Sequence, residues 1–197
     1  MPSDEKSEQM DRLLSIGRSR GYVLYDEIDK ILLPFRVRET AAELDAILTE
    51  LTMNSIEVND EPRTEDSLPD ENLLDQKELQ DHASDSTQAA LYAREVMKAS
   101  RLTDEQEKAL AKRIGQGGQD AEEAVDRLIE ANLWIALATA THYTNRGLRI
   151  LDLVQEGNIG LMRAVKEYNY LRQYRFSTYA TWWVRRAIIR SIEDLPK

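Results

Sequence analysis

Cysteine is absent from this 197-residue chain, so disulfide frameworks, thiolate metal sites and a cysteine nucleophile are excluded, and secretion gains no support. Histidine is almost as scarce. His82 and His142 stand far apart, neither in a ligand-spaced pattern, which argues against a zinc site or a histidine-based triad. No stretch approaches the roughly 18 consecutive apolar residues of a membrane span, and the start MPSDEKSEQM has no apolar signal core. The expectation is a soluble, cytoplasmic chain with no membrane partner, no metal, no cofactor and no enzymatic chemistry of its own. Strand signals are nearly absent too, which leaves an all-α class.

What is present is charge, unevenly distributed. The net charge is −10, yet residues 1–90 carry a net of −13 and residues 91–197 a net of +3. Within 163–190 seven cations (Arg163, Lys166, Arg172, Arg175, Arg185, Arg186, Arg190) face one anion, Glu167. A basic stretch of this density is a candidate phosphate footprint. An acidic half tethered to it can occupy a polyanion site in its own chain or in a partner. The plain alternative for the acidic half is a solubilising surface. Apolar residues, at 42%, suffice for a helical core in one ordinary domain or two small ones.

Periodicity divides the chain into three parts. In residues 1–58, Met10, Leu13, Leu14 and Gly17 begin a helix that Gly21 ends. Val23, Leu24, Ile28, Ile31 and Leu32 form a second apolar stripe that stops near Pro34. Thr40, with Glu43 three residues on, is placed to cap a third helix whose core face is Leu44, Ile47, Leu48 and Leu51. Residues 59–86 are acidic and small polar residues with two prolines, the composition of a disordered linker. Residues 87–197 read as successive helices. Thr103 and Gln106 form a capping box, the glycines of 115–118 make a break, and the last helix begins near Ser177 or Thr178.

Two strings stand out. Seven of the 13 aromatic residues fall within 168–183, interleaved with Arg172 and Arg175 and followed by Arg185, Arg186 and Arg190. Dispersed rings at helical spacing would suit a core, two or three of these, Phe176 and Trp183 foremost, among them. A cluster alternating with arginines suits bases stacked beside a backbone-tracking cationic groove. The second string, Asp152-Leu153-Val154-Gln155-Glu156-Gly157-Asn158-Ile159-Gly160-Leu161-Met162, has glycines without the strand or the lysine ending of a phosphate loop. Asp152 and Glu156 lie four apart, but no histidine, lysine or ligand set converges on them for catalysis. A polar ridge of Asp152, Gln155, Glu156 and Asn158 beside Leu161 and Met162 fits a face that docks a partner helix.

The run from Ala131-Asn132-Leu133, through Tyr143-Thr144-Asn145-Arg146-Gly147-Leu148 and the Asp152–Met162 string, to Phe176-Ser177-Thr178-Tyr179-Ala180-Thr181-Trp182-Trp183-Val184-Arg185 resembles the second conserved region of bacterial primary sigma factors. Residues 87–130 resemble the helices that precede that region, and 9–60 resemble the small acidic amino-terminal module of primary rather than alternative sigmas. The resemblance implies a transcription initiation factor. It would dock through Asp152, Leu153, Gln155, Glu156, Asn158, Leu161 and Met162 on the coiled-coil of the largest subunit of core RNA polymerase. Tyr168, Tyr174, Phe176, Tyr179, Trp182 and Trp183 would hold the melted non-template strand of the minus-ten promoter element, beside Arg172, Arg175, Ser177, Thr178, Arg185 and Arg190. It also implies a pocket for a flipped adenine walled by Tyr179 and Trp182, and an anti-sigma protein as a further partner class.

Departures accompany the likeness. The family's Trp-Trp-Ile-Arg-Gln-Ala-Ile-Thr helix has Gln and Thr where this chain has Arg186 and Ile189, which puts the usual T·A preference at the upstream base pair in question. Trp134 stands for an expected arginine and Thr141-His142 for an expected basic pair, while Ala90 and Ala93 thin the contacts of the preceding helix. The chain also reaches Leu195-Pro196-Lys197 without the helices that read the extended and minus-thirty-five elements. Two rival functions follow: a truncated or degenerate sigma-like protein that occupies polymerase without productive initiation, and a general single-strand DNA-binding module.

Overall fold

Gly21 decides how the first helix ends. In the computed structural model, which describes residues 2–32, 37–60, 87–172 and 174–195, α1 (Pro2–Arg20) runs into Gly21. The φ of Gly21 is +83°, a left-handed conformation glycine takes without strain, and its N–H donates to the Gly17 carbonyl at 2.7 Å. The chain divides into two compact units, Met1–Pro69 with Leu171–Tyr174, and Asp70–Tyr170 with Arg175–Lys197.

In the first unit Tyr22–Leu24 form strand β1, so Val23 and Leu24 do not open the second helical stripe as their apolar character suggests. Helix α2 (Tyr25–Leu32) follows at once. Its Glu27 reaches back to accept from the Leu24 N–H at 2.8 Å and also grips Arg20 at 2.6 Å, which satisfies an orphan donor at the helix start. Helix α3 (Val37–Met53) begins ahead of Thr40, which therefore lies inside it rather than capping it. The chain then turns through Ser55, at φ 55°, into β2 (Glu57–Asn59). β1 and β2 pair in parallel, with Tyr22 opposite Glu57 and Leu24 opposite Asn59. Three residues per strand are too few for an alternating pattern to register in sequence. Leu13, Ile28, Leu44, Leu48 and Leu51 are buried beneath these elements. The expected stop at Pro34 and most of the expected linker, 61–86, lie outside the described residues.

The second unit is all helix among the described residues: α4 (Thr87–Val96), α5 (Asp104–Gln116), α6 (Gln119–Thr141), α7 (Ile150–Glu167) and α8 (Phe176–Glu193). The capping box is present. Thr103 Oγ1 accepts from the Gln106 N–H at 3.4 Å, and Gln106 Oε1 accepts from the Thr103 N–H at 2.9 Å. Gly117 and Gly118, at φ +71° and +90°, make the break between α5 and α6. α6 contacts α4, α5, α7 and α8, and buries Ala124, Leu128, Ile135 and Ala136. α7 meets its neighbours closely at two glycines, α8 at Gly160 and α6 at Gly157. A Cβ on Gly160 would lie 2.5 Å from the Trp183 carbonyl oxygen, and one on Gly157 would lie 3.0 Å from the Ala136 Cβ. Residues 157 and 160 lie about one helical turn apart on α7; the α8 backbone rests on Gly160, while Gly157 makes room for side chains of α6 and α8. No helix among the described residues is long and apolar enough to cross a membrane.

Candidate functional site

The aromatic string folds into a ring cluster around the first turns of α8. Tyr168 meets Phe176 edge-on at 5.1 Å and Tyr179 at 5.7 Å. Tyr179 meets Trp183 at 6.3 Å, and Trp182 meets Trp183 at 5.0 Å with the planes 86° apart. Apart from the tilted Tyr168–Tyr179 pair these contacts are edge-to-face, the arrangement favoured by aromatic quadrupoles. Tyr168, Tyr174, Phe176, Tyr179, Trp182 and Trp183 are all buried. The second unit's core alone therefore takes more of the string than the two or three rings expected, because α8 packs against α7, α6 and α5 and buries Phe176, Tyr179, Trp182 and Trp183 together.

The cations of this part of the sequence differ in exposure and in partner. Arg186 is exposed on α8, and Arg190, exposed one turn later, reaches Asp194 at 3.7 Å. Ile189 between them is half-buried, as are Ser177 and Thr178. Arg185 points the other way. It is buried, with its guanidinium 5.8 Å from the centre of the Tyr143 ring, while Arg146 approaches that ring at 4.8 Å. Arg163 on α7 lies 5.4 Å from the Trp183 ring centre. Arg175, just ahead of α8, is within 3.5 Å of both the Leu102 carbonyl and Glu107 Oε1. Arg172 and Tyr174 belong to the first unit, where both engage Asp45: Arg172 by an ion pair and Tyr174 through its hydroxyl.

The proposed docking string is divided by its own helix. Gln155, Ile159, Met162 and Lys166 recur at helical spacing and form one exposed stripe on α7. Leu153 and Leu161 are fully buried on the opposite side. Asp152 and Glu156 are half-buried at the border, Asp152 held by Arg149 through contacts of 2.9 and 3.4 Å. Asn158 donates to the Tyr92 hydroxyl at 3.1 Å and so ties α7 to α4. Ile159, 54% exposed, was not singled out from the sequence, although its position four residues from Gln155 and three from Met162 carries the signal.

Glu107 was missed altogether. It sits among the polar residues of 104–108, where nothing in the sequence distinguishes it, yet in the fold it is almost wholly buried. Burial pushes its carboxyl above the ordinary 4.5. The Arg175 charge pulls it back, Asp104 pushes it up further, and the Phe176 N–H favours the ionised form.

Known proteins place this arrangement. The family model described as "Sigma-70 region 2" matches residues 128–195, and "Sigma-70 factor, region 1.1" matches residues 4–87. The chain belongs to the sigma-70 family and corresponds to its amino-terminal part. Among its relatives is the RNA polymerase sigma factor SigA of Listeria monocytogenes, 37% identical over 194 residues, covering 92% of this chain and 50% of the relative. SigA of Listeria innocua matches with the same identity and coverage. The chain thus spans about half the length of the curated relatives it matches.

Proposed function

We propose that the chain acts in transcription initiation as the amino-terminal part of a sigma factor, binding core RNA polymerase through α7 and promoter DNA through α8 and the segment that precedes it. The observation that carries this reading is the pairing of an outward cationic edge, Arg175, Arg186 and Arg190, with a reserve of rings on the same helix, in a segment matched to sigma-70 region 2. The cations supply sequence-independent attraction to phosphates. The rings supply stacking once they turn out of their packed cluster. Each stacked base returns about 1–3 kcal/mol, against a few kcal/mol to extrude a base from the duplex.

In this reading the minus-ten element is the DNA target and its non-template strand the one held, with Tyr179 and Trp182 walling the flipped adenine. The docking face is Gln155, Ile159 and Met162 with the rim carboxylates Asp152 and Glu156, and its partner is the coiled-coil of the largest polymerase subunit. Arg186 reads a guanine edge in the upstream duplex, where isoleucine at 189 offers only apolar contact. The acidic first unit competes with DNA for the cations. The engagement of Arg172 and Tyr174 by Asp45 supports that role.

Titration of the chain against core polymerase tests the reading. Replacing Gln155 and Glu156 by alanine together should weaken binding by about 1–3 kcal/mol, since a few central side chains carry most of an interface's energy. Unchanged affinity would remove α7 from the interface, and no binding by the unsubstituted chain would defeat the reading itself.

A further inference from the structure

Glu107 is the only carboxylate among the described residues that the fold removes almost entirely from water, at 2% exposure. Burying a charge carries a large desolvation cost, and the usual remedy of full pairing is not applied here. Its single conventional contact is a long one, Oε1 to Arg175 at 3.5 Å, and Arg175 itself is half-exposed. Oε2 has no hydrogen-bond partner, and neither does the buried Oδ1 of Asp104 nearby, whose other oxygen is taken by Lys108 at 2.8 Å. Replacing so poorly satisfied a carboxylate by a neutral group should cost the fold little. Its position therefore calls for another explanation.

That position is at the start of α8. The helix begins at Phe176 with Arg175 as its capping residue, and no side chain of its own caps it. Its first N–H groups have no intrahelical acceptor. The Glu107 carboxylate, delivered from α5, lies beside this uncapped end, its Oε1 3.5 Å from the guanidinium of the capping residue Arg175, and the Phe176 N–H favours its ionised form. A negative charge there also complements the positive end of the α8 dipole. Arg175 is held a second time by the Leu102 carbonyl, in the segment that leads into α5. Arg175, a candidate DNA cation, and Phe176, the first ring of α8, thus stand beside one buried acidic side chain outside the matched region-2 segment.

We propose that Glu107 is the positioning residue of the DNA-binding helix, capping α8 from α5 and presenting Arg175 to the strand that α8 binds. The DNA half of this inference rests on the reading of α8 given under Proposed function. The cap does not. The charged groups acting on Glu107 are Arg175 from the α8 lead-in and Asp104 from its own helix, with Lys108 paired to Asp104.

Two measurements on the full chain test it. Amide hydrogen exchange at Phe176 should be protected in the unsubstituted chain, faster in Glu107→Ala, and largely restored in Glu107→Gln, which keeps an acceptor. Equal exchange in all three overturns the cap. Affinity for a short A/T-rich single-stranded oligonucleotide at low salt is the second readout. Glu107→Gln should lose about three- to tenfold, the range of a charge-assisted contact, even if its urea midpoint stays level or rises. Placed on Arg175→Ala, the same change should lose nothing more, because the effect passes through Arg175. An additive loss, or a gain in affinity on Glu107→Gln, overturns the positioning role. If the unsubstituted chain does not bind the oligonucleotide, the reading of α8 and the DNA half fall together, while the exchange result still decides the cap.

Discussion

Replacing Gly160 by alanine is the sharpest test of how the second unit is held together. The added Cβ would sit 2.5 Å from the Trp183 carbonyl oxygen and 2.9 Å from the Val184 Cα, both backbone atoms that no rotamer change can move. Carbon–oxygen contacts relax at about 3.3 Å, so α7 and α8 must part by roughly 0.8 Å. A gap of that size forfeits a quarter to a half of the dispersion attraction between facing atoms. The α7–α8 contact is the most extensive between helices of the unit and includes Val184, Ile188 and Trp183. Overpacking of this kind costs about 1–3 kcal/mol, and the helix-propensity gain of alanine over glycine returns about 1 kcal/mol. Because the clashing atoms are backbone, the cost falls in the upper part of that range, about 2–3 kcal/mol, and the net expectation is a destabilisation of about 1–2 kcal/mol. Gly157→Ala is the internal control, since its Cβ would meet only side-chain atoms, the nearest the Ala136 methyl at 3.0 Å. It should cost less than Gly160→Ala. All three tryptophans, Trp134, Trp182 and Trp183, lie in the second unit, so urea unfolding followed by tryptophan fluorescence reports this unit alone. A Gly160→Ala chain as stable as the parent, or a larger loss at Gly157, would refute the backbone-contact argument.

Three further outcomes are expected. Thr103→Ala should remove the α5 capping box and lower the urea midpoint by an amount equivalent to about 1 kcal/mol, with Thr103→Ser retaining most of it. Asp45→Ala should release Arg172 and Tyr174 and raise affinity for single-stranded DNA at low salt, the gain shrinking as salt screens the free guanidinium; no gain at any ionic strength would mean that this contact masks nothing. The Glu107 carboxyl is raised above 4.5 in the fold, so its favourable contribution is complete below that value and is lost as pH climbs through the raised one. Across that window the urea midpoint of the parent should fall relative to Glu107→Gln, and a difference independent of pH would contradict the assigned shift.

The second unit was legible because its signals are local. Thr103 with Gln106 and the glycines at 117 and 118 each act within a turn or two, where sequence distance tracks spatial distance. The parallel pairing of β1 with β2 was not, because Tyr22 and Glu57 are far apart in sequence and three-residue strands show no period. Glycines 157 and 160 drew notice without explanation, since a packing glycine is defined by a second helix the sequence does not show. The same limit applies to the site. Its residue types were readable, but not that Arg185 turns inward while Arg186 turns out, nor that Leu153 and Leu161 belong to the core. Glu107 could not be found from its own neighbourhood at all, because what sets it apart lies far along the chain at Arg175 and Phe176.

The parallel β1–β2 pair has a mechanical consequence. Chain enters β1 at Tyr22 and leaves β2 at Asn59, and in a parallel pair those two points lie at opposite ends of the ribbon. A pull on the segment that follows Asn59, resisted by α1 ahead of Tyr22, therefore loads the strands in shear. The rungs from Tyr22–Glu57 to Leu24–Asn59 share the force and fail together, whereas an antiparallel hairpin pulled at its open end would unzip one rung at a time. Small as it is, a ribbon loaded in this way should act as a clasp that resists tension along the chain and then releases in a single step.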